Sequence, residues 1–163
     1  MVLSSSKLTM SPASVHLASA QIVFGVGRGV GNREIFQRLA ALAALVGAEV
    51  AGTRGAVDKG WLSREREIGM SGVRIQPKLY LAWGLSGSNF HTIGMERSEF
   101  IVAINPDPKA RIHELSHISL LAAVEPTMER LEDYCRKMCI GPQSTDRVRL
   151  LVDFFRQSHL DNF

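Results

Sequence analysis

The polar residues able to do chemistry in this sequence fall just behind its apolar runs. Arg28 lies in the turn VGRGVG that follows the run at 21–26, and Thr53 and Arg54 follow a short run at 48–52. Ser86, Ser88, Asn89 and His91 follow LYLAW at 79–83, and Asn105 follows FIVAI at 100–104. Together they offer hydroxyls, amides, an imidazole and two guanidinium groups, a cationic and donor-rich set that suits a phosphate-bearing ligand. The stretch GLSGSN, with small side chains and exposed N–H groups where a helix begins, is a ready anion site. VGRGVG matches a dinucleotide fingerprint only loosely. Its spacing is G-x-G-x-G and no acidic residue ends the second run to hold a ribose, so a tight turn and a phosphate cradle both stay open. Singly, each residue has a plain reading: Arg28 and Arg54 as surface arginines, Ser86 and Asn105 as cap and turn residues, His91 as a half-buried packing residue. Their joint occurrence behind successive apolar runs is what points to a ligand site.

Other chemistries find little support. Ser86 and His91 have no evident acid partner, and GLSGS lacks the spacing of a nucleophile elbow. His113 and His117 are four apart without a third ligand or an HExxH pattern, so no metal site is expected. Cys135 and Cys139 read as reduced thiols. The net charge of +3 comes without a Lys/Arg block, and aromatics are not interleaved with basic residues, which argues against nucleic acid. No apolar run reaches transmembrane length, and MVLSSSKLTMSPAS lacks the pattern of a secretory signal. A cytoplasmic protein is the expectation.

The elements that must position these residues follow from periodicity. Short apolar runs at 21–26, 48–52, 79–83, 100–104 and 118–122 read as buried strands. EIFQRLAALAALV at 34–46 has helical spacing and ends at Gly47, and helices are expected from Pro126 to about residue 138 and over 146–159. Between them, 57–71 is irregular, with EIGMSG as a Gly-broken loop or short strand. Strands alternating with helices give an α/β fold, a three-layer Rossmann-like parallel sheet with helices on both faces. The ligand of such a sheet lies at the carboxyl ends of its strands. With 163 residues, a single domain is expected: a lead-in at 1–20 with a possible edge strand, a nucleotide-binding core at 21–140, and a helical extension at 141–163.

GLSGSNFHTIGM followed by FIVAINPDP resembles the FAD-binding domain at the C-terminal end of electron transfer flavoprotein alpha subunits, whose pattern is G-[IL]-S-G-x-x-Q-H-x-x-G-M and then I-V-A-I-N-x-D-x-x-A-P-I. GVGRG at 25–29 and GTRGAVD at 52–58 extend the likeness over roughly residues 22–122. The resemblance implies FAD held by Arg28, Thr53 and Arg54, by Gly69, Met70 and Ser71, by Ser86, Gly87, Ser88, Asn89, Phe90 and His91, and by Asn105. Arg54 would place positive charge beside the isoalloxazine, Ser71 would hydrogen-bond the ring, and His91 would lie near the ring edge that gains negative charge on reduction. Met70 and Phe90 stand where the family commonly has Gln, Arg111 stands where it has Pro, and Ala123 or Val124 takes the place of an Asp.

The function implied is that of an FAD-binding electron carrier related to the alpha subunit, rather than of a substrate-converting enzyme. A beta-subunit-like or other redox partner is expected, or a homodimer that covers surface the family shields with further domains. Two alternatives stand beside it: a non-redox module binding NAD or adenosine phosphates, and an assembly protein that has lost the cofactor.

Overall fold

The computed structural model describes residues 12–161. Five strands form one all-parallel sheet: β1 (Ile22–Val26), β2 (Glu49–Gly52), β3 (Leu79–Trp83), β4 (Phe100–Ile104) and β5 (Ile118–Leu120), in the order β2-β1-β3-β4-β5. All five residues of β1 and of β3 are buried, as expected of strands covered on both faces. The strand order reverses between β1 and β3, so the crevice of this doubly wound sheet opens there.

Alternation along the strands divides the core in two. Phe24, Leu81, Trp83, Val102 and Ile104 face one way. They meet α2 (Arg33–Leu45), α6 (Val124–Lys137) and α7 (Arg147–Leu160). Helix α2 starts where Asn32 accepts a 2.9 Å bond from the Ile35 N–H, a side-chain cap that satisfies one orphan donor. Helix α7 inserts Leu151 and Phe155 into this layer, with Phe155 edge-on to Trp83 at 6.3 Å. The C-terminal segment therefore completes the same core. Val23, Tyr80, Ala82, Ile101 and Ala103 face the other way, against Leu17, Ile68, Ile75, Met95 and Ile112. The three-layer α/β arrangement read from the sequence is the one observed.

Some local readings change. Part of 1–20 was expected to form an edge strand. Residues 1–11 lie outside the described residues, and Pro12–Ser19 is a helix, α1, that buries Leu17. Pro at its first position pre-sets a helical φ, and Leu and Ala within it favour the helix. Arg54–Asp58 is a short helix, α3, that runs into the first residues of the stretch expected to be irregular; the Thr53 side chain caps it by accepting from the Ala56 N–H at 3.2 Å. Helix α6 starts two residues before Pro126, which sits in its first turn where no N–H is needed, and β5 accordingly stops at Leu120.

Candidate functional site

The loops at the carboxyl edge continue the sheet's register past the strand ends. Gly27 N–H donates to Trp83 O at 3.0 Å, Thr53 N–H to Val26 O at 3.0 Å, Gly84 N–H to Ile104 O at 2.9 Å, and Asn105 N–H to Leu120 O at 3.1 Å. The β1 and β3 loops interlock most closely: Gly29 N–H donates to Gly84 O at 2.8 Å. Gly84 has φ +64, and a Cβ there would stand 2.6 Å from the backbone of Gly29 and Val30, so only Gly serves.

Between these loops lies a cavity of about 590 Å³. Its walls include Arg28, Thr53 and Arg54, Ser71, Ser86 and Ser88, Phe90, His91 and Asn105, all expected from the sequence. A second cavity of about 540 Å³ shares Ser86, Ser88, Phe90 and Asn105 and continues toward Asn89, Lys109 and Arg111. The four loops do converge. Gly69, Met70 and Gly87 lie outside both linings. Met70 N–H donates to Phe90 O at 2.7 Å, which joins the 67–73 loop to α4 (Asn89–Thr92), and Gly87 packs against Ile112 at the start of α5 (Ile112–Leu115). The side chains of Met70 and Phe90 are exposed by 52% and 69%. The 67–73 loop is anchored at β2 by Ile68 N–H donating to Gly52 O at 2.9 Å.

The polar side chains divide into two kinds. Arg28, Arg54, Ser71, Ser86 and Ser88 have no side-chain hydrogen bond among the described residues, so their donors are available. The Arg28 stem lies over Gly55, within about 3 Å of where a Cβ would be, so two guanidinium-bearing side chains share one wall. His91 and Asn105 are already engaged. The His91 ring is 3% exposed; its Nε2 pairs with the Tyr80 hydroxyl at 2.8 Å and its Nδ1 with Ile68 O at 3.2 Å. The carbonyl can only accept, so Nδ1 carries the proton and donates, and Nε2 accepts from Tyr80. Burial pushes the imidazole down to about 4 against the bond to Ile68, so it is neutral at pH 7. It offers the cavity neither a cation nor a free ring nitrogen. Asn105 donates through Nδ2 to Leu85 O at 3.0 Å and accepts at Oδ1 from the Asp107 N–H at 2.8 Å, an Asx turn that ties the β4 loop to the β3 loop.

Sequence reasoning missed Glu67. It lines the cavity and is 6% exposed, and no hydrogen bond or ion pair reaches its carboxylate among the described residues. Its neighbours Arg64, Glu65 and Arg66 are also charged, and only burial distinguishes it from them. No group of three or more His, Cys, Asp or Glu is placed to hold a metal among the described residues, and no described helix is long and apolar enough to cross a membrane. His113 bonds Ser119 Oγ and Asn105 O, and His117 Nδ1 accepts from the Ile101 N–H at 2.9 Å.

Comparison with known proteins gives a consistent set of likenesses. The model of the family described as the electron transfer flavoprotein FAD-binding domain matches residues 16–96. Protein FixB of Azorhizobium caulinodans is 38% identical over 136 residues, 83% of this chain and 37% of that protein. The electron transfer flavoprotein subunit alpha of Clostridium acetobutylicum is 35% identical over 115 residues, 71% of this chain and 34% of that one. Lactate dehydrogenase (NAD(+),ferredoxin) subunit LctC of Acetobacterium woodii is 38% identical over 107 residues, 66% of this chain and 26% of that one. The chain thus spans between 26% and 37% of the length of these relatives.

Proposed function

This chain belongs to the electron transfer flavoprotein FAD-binding domain family, and from that premise we propose that it binds FAD and serves as an alpha-subunit-related component of an electron carrier. The observation that carries the reading is the convergence of the loops after β1, β2, β3 and β4 on one cavity at the switch point, with two arginines and three serines whose side chains are unengaged.

The residues present fit the cofactor. The two adjoining cavities share one wall, which suits an extended two-part ligand, and Phe90, exposed and common to both, offers an apolar face to a flat ring. Bound flavin would supply the electron-accepting chemistry itself. This chain's own part is to bind, orient and polarise. Arg54 and Arg28 place fixed positive charge on the wall, because guanidinium stays protonated at any working pH. Ser71, Ser86 and Ser88 supply hydroxyl donors. His91, Tyr80 and Asn105 stiffen the loops that carry them, and His91 contributes neutral polarity rather than charge.

For this chain the reading includes a partner of beta-subunit or other redox type and a cytoplasmic setting. Self-association is a further proposal, supported by exposed Met70, Phe90 and Leu121. The test is the absorbance spectrum of protein purified without added FAD, with identification of any cofactor released by heat. A flavin spectrum and released FAD are expected. Colourless protein that takes up no FAD on reconstitution would overturn the proposal.

A further inference from the structure

Among the described residues, Glu67 is the one acidic side chain in the wall of the main cavity, beside Arg28, Arg54 and Ser71. Its place is set by backbone: Glu67 N–H donates to Arg64 O at 3.1 Å, Glu67 O accepts from Val73 N–H at 2.8 Å, and the residue is bridged to Gly52 at the end of β2. A Cβ on Gly72 would lie 2.2 Å from Glu67 O, so the loop closes tightly around this position. The backbone of Glu67 is therefore held at the β2 end of the cavity.

A carboxylate on a residue that is 6% exposed, with no donor among the described residues, is costly to cut off from water. Water in the open cavity offsets that cost. A ligand that fills the cavity removes the water and must replace it with a donor of its own, or lose affinity. Phosphate oxygens cannot do this, since they only accept and carry like charge. A ligand hydroxyl can, and so can a heterocycle with a ring N–H. The oxidised isoalloxazine has a single such group, the N–H at ring position 3.

We propose that Glu67 is a specificity-determining residue of this cavity, accepting a hydrogen bond from a ring N–H of the bound heterocycle and so selecting ligands that carry one. This rests on the flavin reading of the site. It adds a residue from outside the arginine and hydroxyl set, and it makes the wall select for a donor as well as for negative charge.

The test compares lumiflavin with 3-methyllumiflavin, which differ only at that N–H, by flavin fluorescence titration against the full chain. The wild type should bind the methylated ring about tenfold or more weakly, the usual worth of a hydrogen bond to a charged group. Glu67→Gln keeps an acceptor oxygen and nearly the same shape, so it should keep most of the discrimination. Glu67→Ala should bind the two rings within about twofold of each other. Far-UV circular dichroism checks that both variants are folded, and the near-isosteric Glu67→Gln and the wild-type ratio decide the matter should Glu67→Ala fail to fold. Equal binding of the two rings by the wild type, or undiminished discrimination in folded Glu67→Ala, would overturn this proposal and leave the flavin reading intact. Failure of the wild type to bind lumiflavin or FAD at all would overturn the flavin reading, and this proposal with it.

Discussion

Replacing His91 by Gln should flatten the acid side of the stability profile. His91 is buried, donates through Nδ1 to Ile68 O and accepts from the Tyr80 hydroxyl at 2.8 Å. Burial is the main cause that lowers its pKa from 6.5 to about 4, and the bond to Ile68 opposes that shift in part. The unfolded chain therefore binds a proton near pH 6.5 that the folded chain refuses until about pH 4. The stabilising contribution of the neutral ring is present above the unfolded pKa and is lost as pH falls toward the folded one. At about 1.4 kcal/mol per pH unit over that window, the cost reaches about 3 kcal/mol at its acid end, a large share of a small domain's stability. Gln can donate its amide to Ile68 O and accept from Tyr80 without titrating. Urea unfolding followed by far-UV circular dichroism at several pH values between 7.5 and 4.5 measures the difference, since every other titrating group is common to both proteins. The wild type should lose about 1.4 kcal/mol more than His91→Gln by pH 5.5. Parallel profiles, or an NMR titration of His91 with a midpoint at or above the ordinary histidine value, would refute the locked neutral ring.

The same hydrogen-bonded group predicts that Gly25→Ala costs about 3 kcal/mol or more, because the new Cβ would stand 1.7 Å from the Tyr80 hydroxyl oxygen. Urea unfolding measures the loss, and a cost under about 1 kcal/mol would show that the Tyr80 ring, whose Cζ would also stand 2.2 Å from the new Cβ, yields freely. A maleimide should label Cys139 alone in the native protein, since Cys139 is exposed whereas Cys135 is buried and its thiol is pushed up to about 11, mainly by burial; rapid labelling of both would contradict this. Cys139 also has φ 53, so Cys139→Gly should stabilise the chain by about 1 kcal/mol, read as a raised urea midpoint. In flavin-loaded protein, Arg54→Ala should disfavour the reduced ring by about 1–3 kcal/mol, with Arg54→Lys recovering part. A redox titration with unchanged potential and FAD still bound would remove Arg54 from that role.

The sheet was legible because its strands are buried on both faces. LYLAW and FIVAI are continuous apolar runs that pair residue for residue, Leu79 with Phe100 through Trp83 with Ile104. Once the runs were ordered, the loops at their carboxyl ends had to share one edge, so Arg28, Thr53, Arg54, Ser86 and Asn105 could be grouped without coordinates. The extra turn of helix at 54–58 was less visible. Thr53, read as a ligand residue, lines the cavity and also caps that helix: its oxygen accepts from Ala56 while its O–H remains a donor.

Side-chain direction is where sequence reasoning stopped, and the physical reason is local hydrogen-bond competition. His91 and Asn105 are polar residues in ligand-edge loops, yet each is satisfied by backbone or by Tyr80 before any ligand arrives. A group with both donor and acceptor capacity can close such a bond with the nearest carbonyl or N–H, so imidazole and amide turn inward and stiffen the rim. Guanidinium groups have no acceptor capacity, and those of Arg28 and Arg54 have no carboxylate bonded to them here. They stay available to the cavity. Glu67 is the mirror case, an acceptor without a donor, and a charge run in the sequence conceals it until burial is known. Among the described residues lining the cavity, those left unengaged are thus two cations, three hydroxyls and one carboxylate, and a ligand that answers all of them must bring both acceptors and at least one N–H or O–H donor.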